Sequence, residues 1–390
     1  MYQVILKKGK EKKILNGEPW VFANEVQKIE GSGKQGEVCK VLSFENRFVG
    51  IGYINHLSKI LVRILSLKEQ EIDYKFFYDR IQSAVNYRKQ LGYDNNYRAV
   101  FGEADFLPAL IVDKYGDYLS CQFLSLGMDK RKQEIVDILV DIFKPKGIYE
   151  RSDVSVRKKE GLPEVKGVLY GEVPDLVPII ENGLTMYVDL KEGQKTGYFL
   201  DQKENRDNLK HYVKGKRVLD CFCNAGGFSL CAAKHGATQV ISADVSQRAL
   251  DLVNKSTSAN SLEGVIQTVQ ADVFELLREY RKQNQKFDVI VLDPPAFTKS
   301  KDTVKDGLKG YKDINIQALK LLDVGGILVT CSCSQHVSVN QFTEMLTQSA
   351  RECGKRVKLV ELRAQGKDHA SLIGAETSIY LKVAVLYVTN

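Results

Sequence analysis

Four aspartates in the second half of the chain follow apolar runs that read as strands: Asp220 in RVLDCFCNAGGFSL, Asp244 in ISADVS, Asp272 in QADV and Asp293 in VLDPPAF. A carboxylate at a strand end can accept hydrogen bonds from an ammonium, from ribose hydroxyls or from an amino group. Asp220 precedes Ala225-Gly226-Gly227, where glycines let a ligand approach backbone N–H groups at a helix start. An ammonium suits Asp220 beside this tight turn, ribose hydroxyls suit Asp244, and an adenine amino group suits Asp272. The full G-x-G-x-x-G pattern is missing, which argues against a dinucleotide-dependent oxidoreductase. Taken singly, each aspartate reads equally well as a helix N-cap. Four in succession, the last followed by Pro294-Pro295, converge on one crevice.

The second candidate chemistry is a thiol. The chain has eight cysteines, and without a secretory signal they are expected to be reduced. Two C-x-C pairs stand out, Cys221/Cys223 and Cys331/Cys333. A zinc site made from both pairs departs from the usual spacing of structural zinc ligands, and the histidines form no metal-like cluster; no metal is expected. In ILVTCSCSQH the apolar strand should end near Cys331. Cys331 then reads as the last buried residue and Cys333 as the one past the edge, facing the crevice. A small buried residue is the ordinary role of such a cysteine; beside an acidic crevice it becomes a candidate nucleophile.

The elements that must position these groups lie in the last of three regions. From 181 to 390, strand patterns alternate with helical ones: RVLDCF, QVISADV, VIQTVQADV, FDVIVLDPP and ILVTCS are each followed by an amphipathic stretch. The strands are nearly continuous apolar runs, as expected of a parallel sheet covered on both faces. Function then belongs at the carboxyl ends of the strands. Residues 1–70 carry short β-rich runs broken by turn signals, a small β-barrel-like module with the lone Trp20 expected in its core. Residues 72–180 combine two amphipathic helices, one with Phe76, Phe77, Ile81 and Val85 on its apolar face, with strand-like segments, an α+β domain. No apolar run reaches the roughly 20 residues of a membrane span, so no membrane association and a cytoplasmic location are expected. The net charge of +7 leans toward polyanionic partners. Basic clusters run from Lys7 to Lys13, Val156 to Gly161 and Lys299 to Lys312.

On GEPWVF, GEADFLPALIVDKYGD, KTGYFLDQKENR, LDCFCNAGGFSL, LDPPAF and SCSQ, the chain resembles, over essentially its full length, the PUA-domain-containing 23S rRNA cytosine-5 methyltransferase I family of bacteria. The resemblance implies an α/β fold: a doubly wound, mostly parallel, Rossmann-like class I methyltransferase sheet, preceded by a PUA domain and the α+β middle domain. It implies S-adenosylmethionine as cofactor. Gln202 and Arg206 would lie beside it, with Asp220, Phe222, Asn224, Ala225, Gly226, Gly227, Asp244, Asp272 and Asp293 around it. The partner would be 23S rRNA, and the resemblance is compatible with a homodimer. Chemically, a cysteine thiolate adding to carbon 6 makes carbon 5 of cytosine nucleophilic, and Asp293 would hydrogen-bond the ring nitrogen. The family places its thiol in Ser-Cys-Ser, which is Cys333. The Thr-Cys-Ser around Cys331 resembles instead the related two-cysteine enzymes, whose second thiol is replaced here by Ala296. Two other readings stand beside this one: a guanine N2 methyltransferase, which needs no thiol, and a catalytically idle RNA-binding assembly factor.

Overall fold

Alternating apolar strands and amphipathic helices dictate most of the architecture. The computed structural model describes residues 1–298, 300–373 and 379–390. The chain folds into two units. One comprises Met1–Val177 and Asp189–Leu200 with a segment beginning at Lys367; the other comprises Pro178–Val188, Asp201–Gly366 and Ile379–Asn390.

The first unit holds two sheets. Residues Tyr2–Leu6, Trp20–Phe22, Val26–Glu30, Val38–Leu42, Phe48–Ile54 and Ile60–Ser66 form a six-stranded sheet around Val4, Leu6, Ile14, Val41, Ile54 and Val62. Trp20, expected in that core, is only half-buried. Its indole N–H donates to Glu103 at 2.8 Å, and a polar tip with a partner at the surface explains the difference. A five-stranded sheet follows, covered by helices Tyr74–Gln90 and Lys132–Phe143, with Phe76, Phe77, Ile81 and Val85 buried as their spacing predicts. The basic run from Val156 is less of a cationic face than it reads. Arg157 is buried and paired with Asp129 at 2.9 Å, leaving Lys158 and Lys159 exposed. In the run Lys299 to Lys312, Lys299 lies outside the described residues.

The second unit contains the seven-stranded sheet that carries the site. Its strands are β1 (Arg217–Cys221), β2 (Gln239–Asp244), β3 (Ile266–Gln270), β4 (Phe287–Leu292), β5 (Leu322–Ser332), β6 (Arg356–Arg363) and β7 (Lys382–Thr389). The spatial order is β3-β2-β1-β4-β5-β7-β6. Strands β1 to β5 are mutually parallel; β7 runs antiparallel to both β5 and β6. The alternating helices are α1 (Gly227–Lys234), α2 (Gln247–Ala259), α3 (Val273–Lys282), α4 (Val304–Leu321) and α5 (Val339–Glu352). The doubly wound, mostly parallel sheet is therefore present, and β6 and β7 close its edge. Leu219, Ile290, Leu328 and Leu386 pack with Tyr311, Ile314, Phe342 and Leu346 of α4 and α5 as the core of one face. The strand order reverses between β1 and β4, where sheets of this kind bind their ligands. Among the described residues no helix is long and apolar enough to cross a membrane.

Candidate active site

The end of β1 folds back over the sheet. Phe222, Asn224 and Gly226 all have positive φ, at 61°, 48° and 77°. This winds the chain tightly enough for the Cys223 N–H to reach the Ala243 carbonyl at 3.0 Å and start α1 at Gly227. Gly226 is required twice over: its φ is left-handed, and a Cβ there would stand 2.9 Å from Val253 Cγ2. Inside this turn Asp220 is fully enclosed at 0% exposure. Its Oδ2 accepts the Ser229 N–H at 3.0 Å and the Ser229 hydroxyl at 2.6 Å, while Oδ1 has no partner. Burial, reinforced by the nearby Asp293 and Asp244, pushes its carboxyl up to about 7 against the opposing Ser229 hydrogen bonds.

Asp244 ends β2 and is half-buried. Its two oxygens accept the backbone N–H groups of Asn224 at 3.0 Å and Ser246 at 2.9 Å. The carboxylate is thereby fixed at the rim, with acceptor capacity left on both oxygens. Asp272 is exposed and caps α3, accepting from the Phe274 N–H at 2.8 Å and the Glu275 N–H at 3.4 Å. The N-cap role that each aspartate could fill is thus filled by this one.

Asp293 stands one residue past β4. Its Oδ1 accepts from Gln202 Nε2 at 2.9 Å, and the buried Cys331 lies on the neighbouring strand, whose Thr330 pairs with Leu292. Gln202 is itself held, its Oε1 accepting from Asn205 at 2.8 Å, and Asn205 accepts from Arg363 of β6 at 2.9 Å. Burial and then the neighbouring Asp201 raise the Asp293 carboxyl to about 6. Arg206, from the same QKENR segment, lies near enough to Asp293 to oppose that rise. It is buried, and its guanidinium makes a two-point ion pair with the buried Glu181 at 2.6 and 2.8 Å. Those two hydrogen bonds tie the segment to the Val177–Glu181 strand.

The parallel pairing of β4 with β5 brings the cysteine pair beside Asp293. Strand β5 ends at Ser332; Cys331 is fully buried, and Cys333 is half-buried, just past the strand end. Burial raises the Cys331 thiol well above its ordinary value. Cys333 Sγ lies 3.8 Å from the carbonyl oxygen of Pro294. Neighbours that the pattern reading missed complete this corner. The Tyr311 and Ser334 hydroxyls are 2.8 Å apart, and the buried Lys382 donates to the Ser334 and Tyr380 carbonyls at 2.7 and 2.9 Å. The one visible signal for Lys382 was a cation inside the otherwise apolar run YLKVAVLYV. Among the described residues no group of three or more histidine, cysteine or acidic side chains is arranged to hold a metal ion.

Comparison with known proteins agrees with this architecture. Residues 4–67 match a PUA-like domain family, and residues 160–370 match the S-adenosylmethionine-dependent methyltransferase family. The chain is 39% identical over 386 residues to the ribosomal RNA large subunit methyltransferase I of Yersinia pseudotuberculosis, covering 97% of this chain and 98% of that one. A solved chain from Streptococcus mutans, assigned as a SAM-dependent methyltransferase, superposes with a TM-score of 0.85 at 26% identity, covering 99% of this chain and all of that one. Another solved structure, assigned as a methyltransferase and complexed with SAH, gives a TM-score of 0.86 at 25% identity. The chain belongs to the S-adenosylmethionine-dependent methyltransferases, and within them to the family of the large-subunit ribosomal RNA methyltransferase I proteins.

Proposed function

We propose that this protein methylates carbon 5 of a cytosine in 23S rRNA, with Cys333 as nucleophile and Asp293 as the group that binds the base. The observation that carries the reading is the Cys333 thiol, half-buried past the end of β5 and 3.8 Å from the carbonyl of Pro294, the residue after Asp293. Thiol and carboxyl thus belong to adjacent strand ends, as an attack on one face of a base held by its edge requires.

The residues present fit S-adenosylmethionine. The enclosed Asp220 has an oxygen without a partner, which an ammonium donor would satisfy. Asp244 has lone pairs left for two hydroxyls, and the turn from Phe222 to Gly227, including Asn224, Ala225 and Gly226, brings backbone to the same rim. When bound, the cofactor supplies an electrophilic methyl group on a sulfonium. Everything else falls to the chain. The Cys333 thiolate forms a bond to carbon 6, and the electron pair of the 5,6 double bond becomes available at carbon 5. Asp293 in its acid form donates to the ring nitrogen and offsets the charge developing there. After carbon 5 has taken the methyl, solvent water takes its proton, the electrons of that bond restore the 5,6 double bond, and the sulfur–carbon 6 bond breaks to return the thiolate.

The guanine N2 reading draws less support. Phe297, the aromatic of the Asp-Pro-Pro segment, packs against Tyr311 at 4.6 Å and Phe274 at 5.8 Å between ring centroids. The test is to incubate the protein and labelled cofactor with unmodified rRNA and digest to nucleosides. Label in 5-methylcytidine is expected; label in a methylguanosine, or none with cofactor bound, would overturn the reading.

A further inference from the structure

Lys382 is 3% exposed and opens β7; its neighbours Leu381, Val383 and Ala384 are apolar core. Burying an ammonium is costly unless it is paired and hydrogen-bonded. Yet its hydrogen bonds go to the Ser334 and Tyr380 carbonyls, and no ion pair to a carboxylate forms among the described residues. Register explains where it points. Lys382 lies opposite Ser332 across the β5–β7 ladder, one residue before Cys333, and the carbonyl it grips belongs to the residue after Cys333. The backbone on both sides of the thiol is therefore tied to Lys382, by the strand pairing and by the Nζ–Ser334 bond.

We propose that Lys382 is a positioning residue for Cys333, fixing the turn that carries the thiol and stabilising its thiolate as an adjacent cation. The proposal rests on the reading of Cys333 as nucleophile. Titratable groups that interact with Cys333 from the surrounding elements include Tyr311 of α4, Cys331 of β5 and Lys382 of β7, with Asp293 beside Cys331. Burial makes the Tyr311 hydroxyl and the Cys331 thiol weaker acids, so both stay neutral near pH 7. Asp293 is the group of opposite effect, because its anion would oppose the thiolate, and Lys382 supplies the compensating charge. Burial brings the Lys382 ammonium down to about 8, with the Cys333 sulfur pulling the other way; a cation is thus available at neutral pH and is lost above it.

The test is the pH dependence of iodoacetamide alkylation of the full chain, followed at Cys333 by peptide fragmentation. In Lys382→Met the Cys333 midpoint should rise by about one unit, a roughly tenfold slower alkylation at neutral pH, and Lys382→Arg should restore it. A midpoint unchanged in Lys382→Met, or a change only in the high-pH rate, overturns the proposal. Should the methionine variant fail to fold, the unaltered protein decides. Its Cys333 midpoint must lie below that of Cys353, the other partly exposed thiol, whose burial raises its value; a midpoint at or above Cys353 overturns the proposal. The readout requires no methyl transfer. An active Cys333→Ala protein would sink the nucleophile reading alone, and an unchanged alkylation midpoint would sink the role of Lys382 alone.

Discussion

Two corners of the same sheet carry the same ingredients, an aspartate and a C-x-C pair, and do opposite things with them. At the end of β1, the left-handed residues Phe222, Asn224 and Gly226 fold the chain back, so Asp220, Cys221 and Cys223 are all buried. At the neighbouring ends of β4 and β5, the chain runs on. Pro294 and Pro295 prevent an immediate helix from starting over Asp293, and Cys333 emerges half-buried where Cys331 does not. Residue type and spacing are shared; the direction of the next three residues decides whether a thiol is packed away or left partly exposed. Asp220 is fully enclosed in the closed corner, whereas Cys333 keeps partial exposure in the open one.

The largest effect should come from breaking the two thiols that differ. Cys333→Ala should lower methyl transfer by at least about a thousandfold, as loss of a covalent nucleophile does. Cys223→Ala, in the closed corner, should leave the rate within about threefold and cost about 1 kcal/mol of stability. Single-turnover rates with labelled cofactor, beside denaturant melts of each variant, measure both. Equal losses in the two variants would erase the distinction between the corners.

The next effect concerns the open carboxyl. Asp293→Asn keeps a donor for the base but removes the charge and the acid, and should slow the reaction about a hundredfold. Asp293 is pushed up to about 6, so under the acid role proposed for it kcat/KM should fall as pH rises through that value. The amide does not titrate, so this limb should vanish from the pH profile of the variant. A limb that persists belongs to another group.

How far sequence reaches is visible in the same two corners. The βα alternation and the apolar strands are legible because periodicity and burial are local properties of each segment. The β5 boundary between Cys331 and Cys333 is legible for the same reason: apolar character stops there. Partnerships are not. Arg206 and Glu181 lie in different elements, and only the fold shows that the arginine beside Gln202 is committed to an ion pair. Strands β6 and β7 escaped the βα pattern because they pair antiparallel, and Lys382 went with them. Asp272, one of four similar strand-end acids, differs from the others in being exposed and in capping the next helix directly, a matter of backbone direction that composition does not carry.

The smallest predicted effect sharpens the closed corner. Asp220 is enclosed and raised from 3.8 to about 7, so the folded protein holds its proton more tightly than the unfolded chain. For an acid raised in this direction, stability is greatest below the unfolded value and declines as pH rises toward the folded one. The shift sets a ceiling of about 4 kcal/mol, and relaxation of the surrounding dipoles should reduce the observed loss to about 2 kcal/mol. Asp220→Asn, without cofactor, should therefore be more stable than the unaltered protein by about that amount at pH 8, with the advantage fading toward pH 4. Denaturant melts at the two pH values measure it. An advantage that is equal at both would mean that the carboxyl is already compensated inside the turn, and that no missing ammonium is needed to explain its unpartnered oxygen.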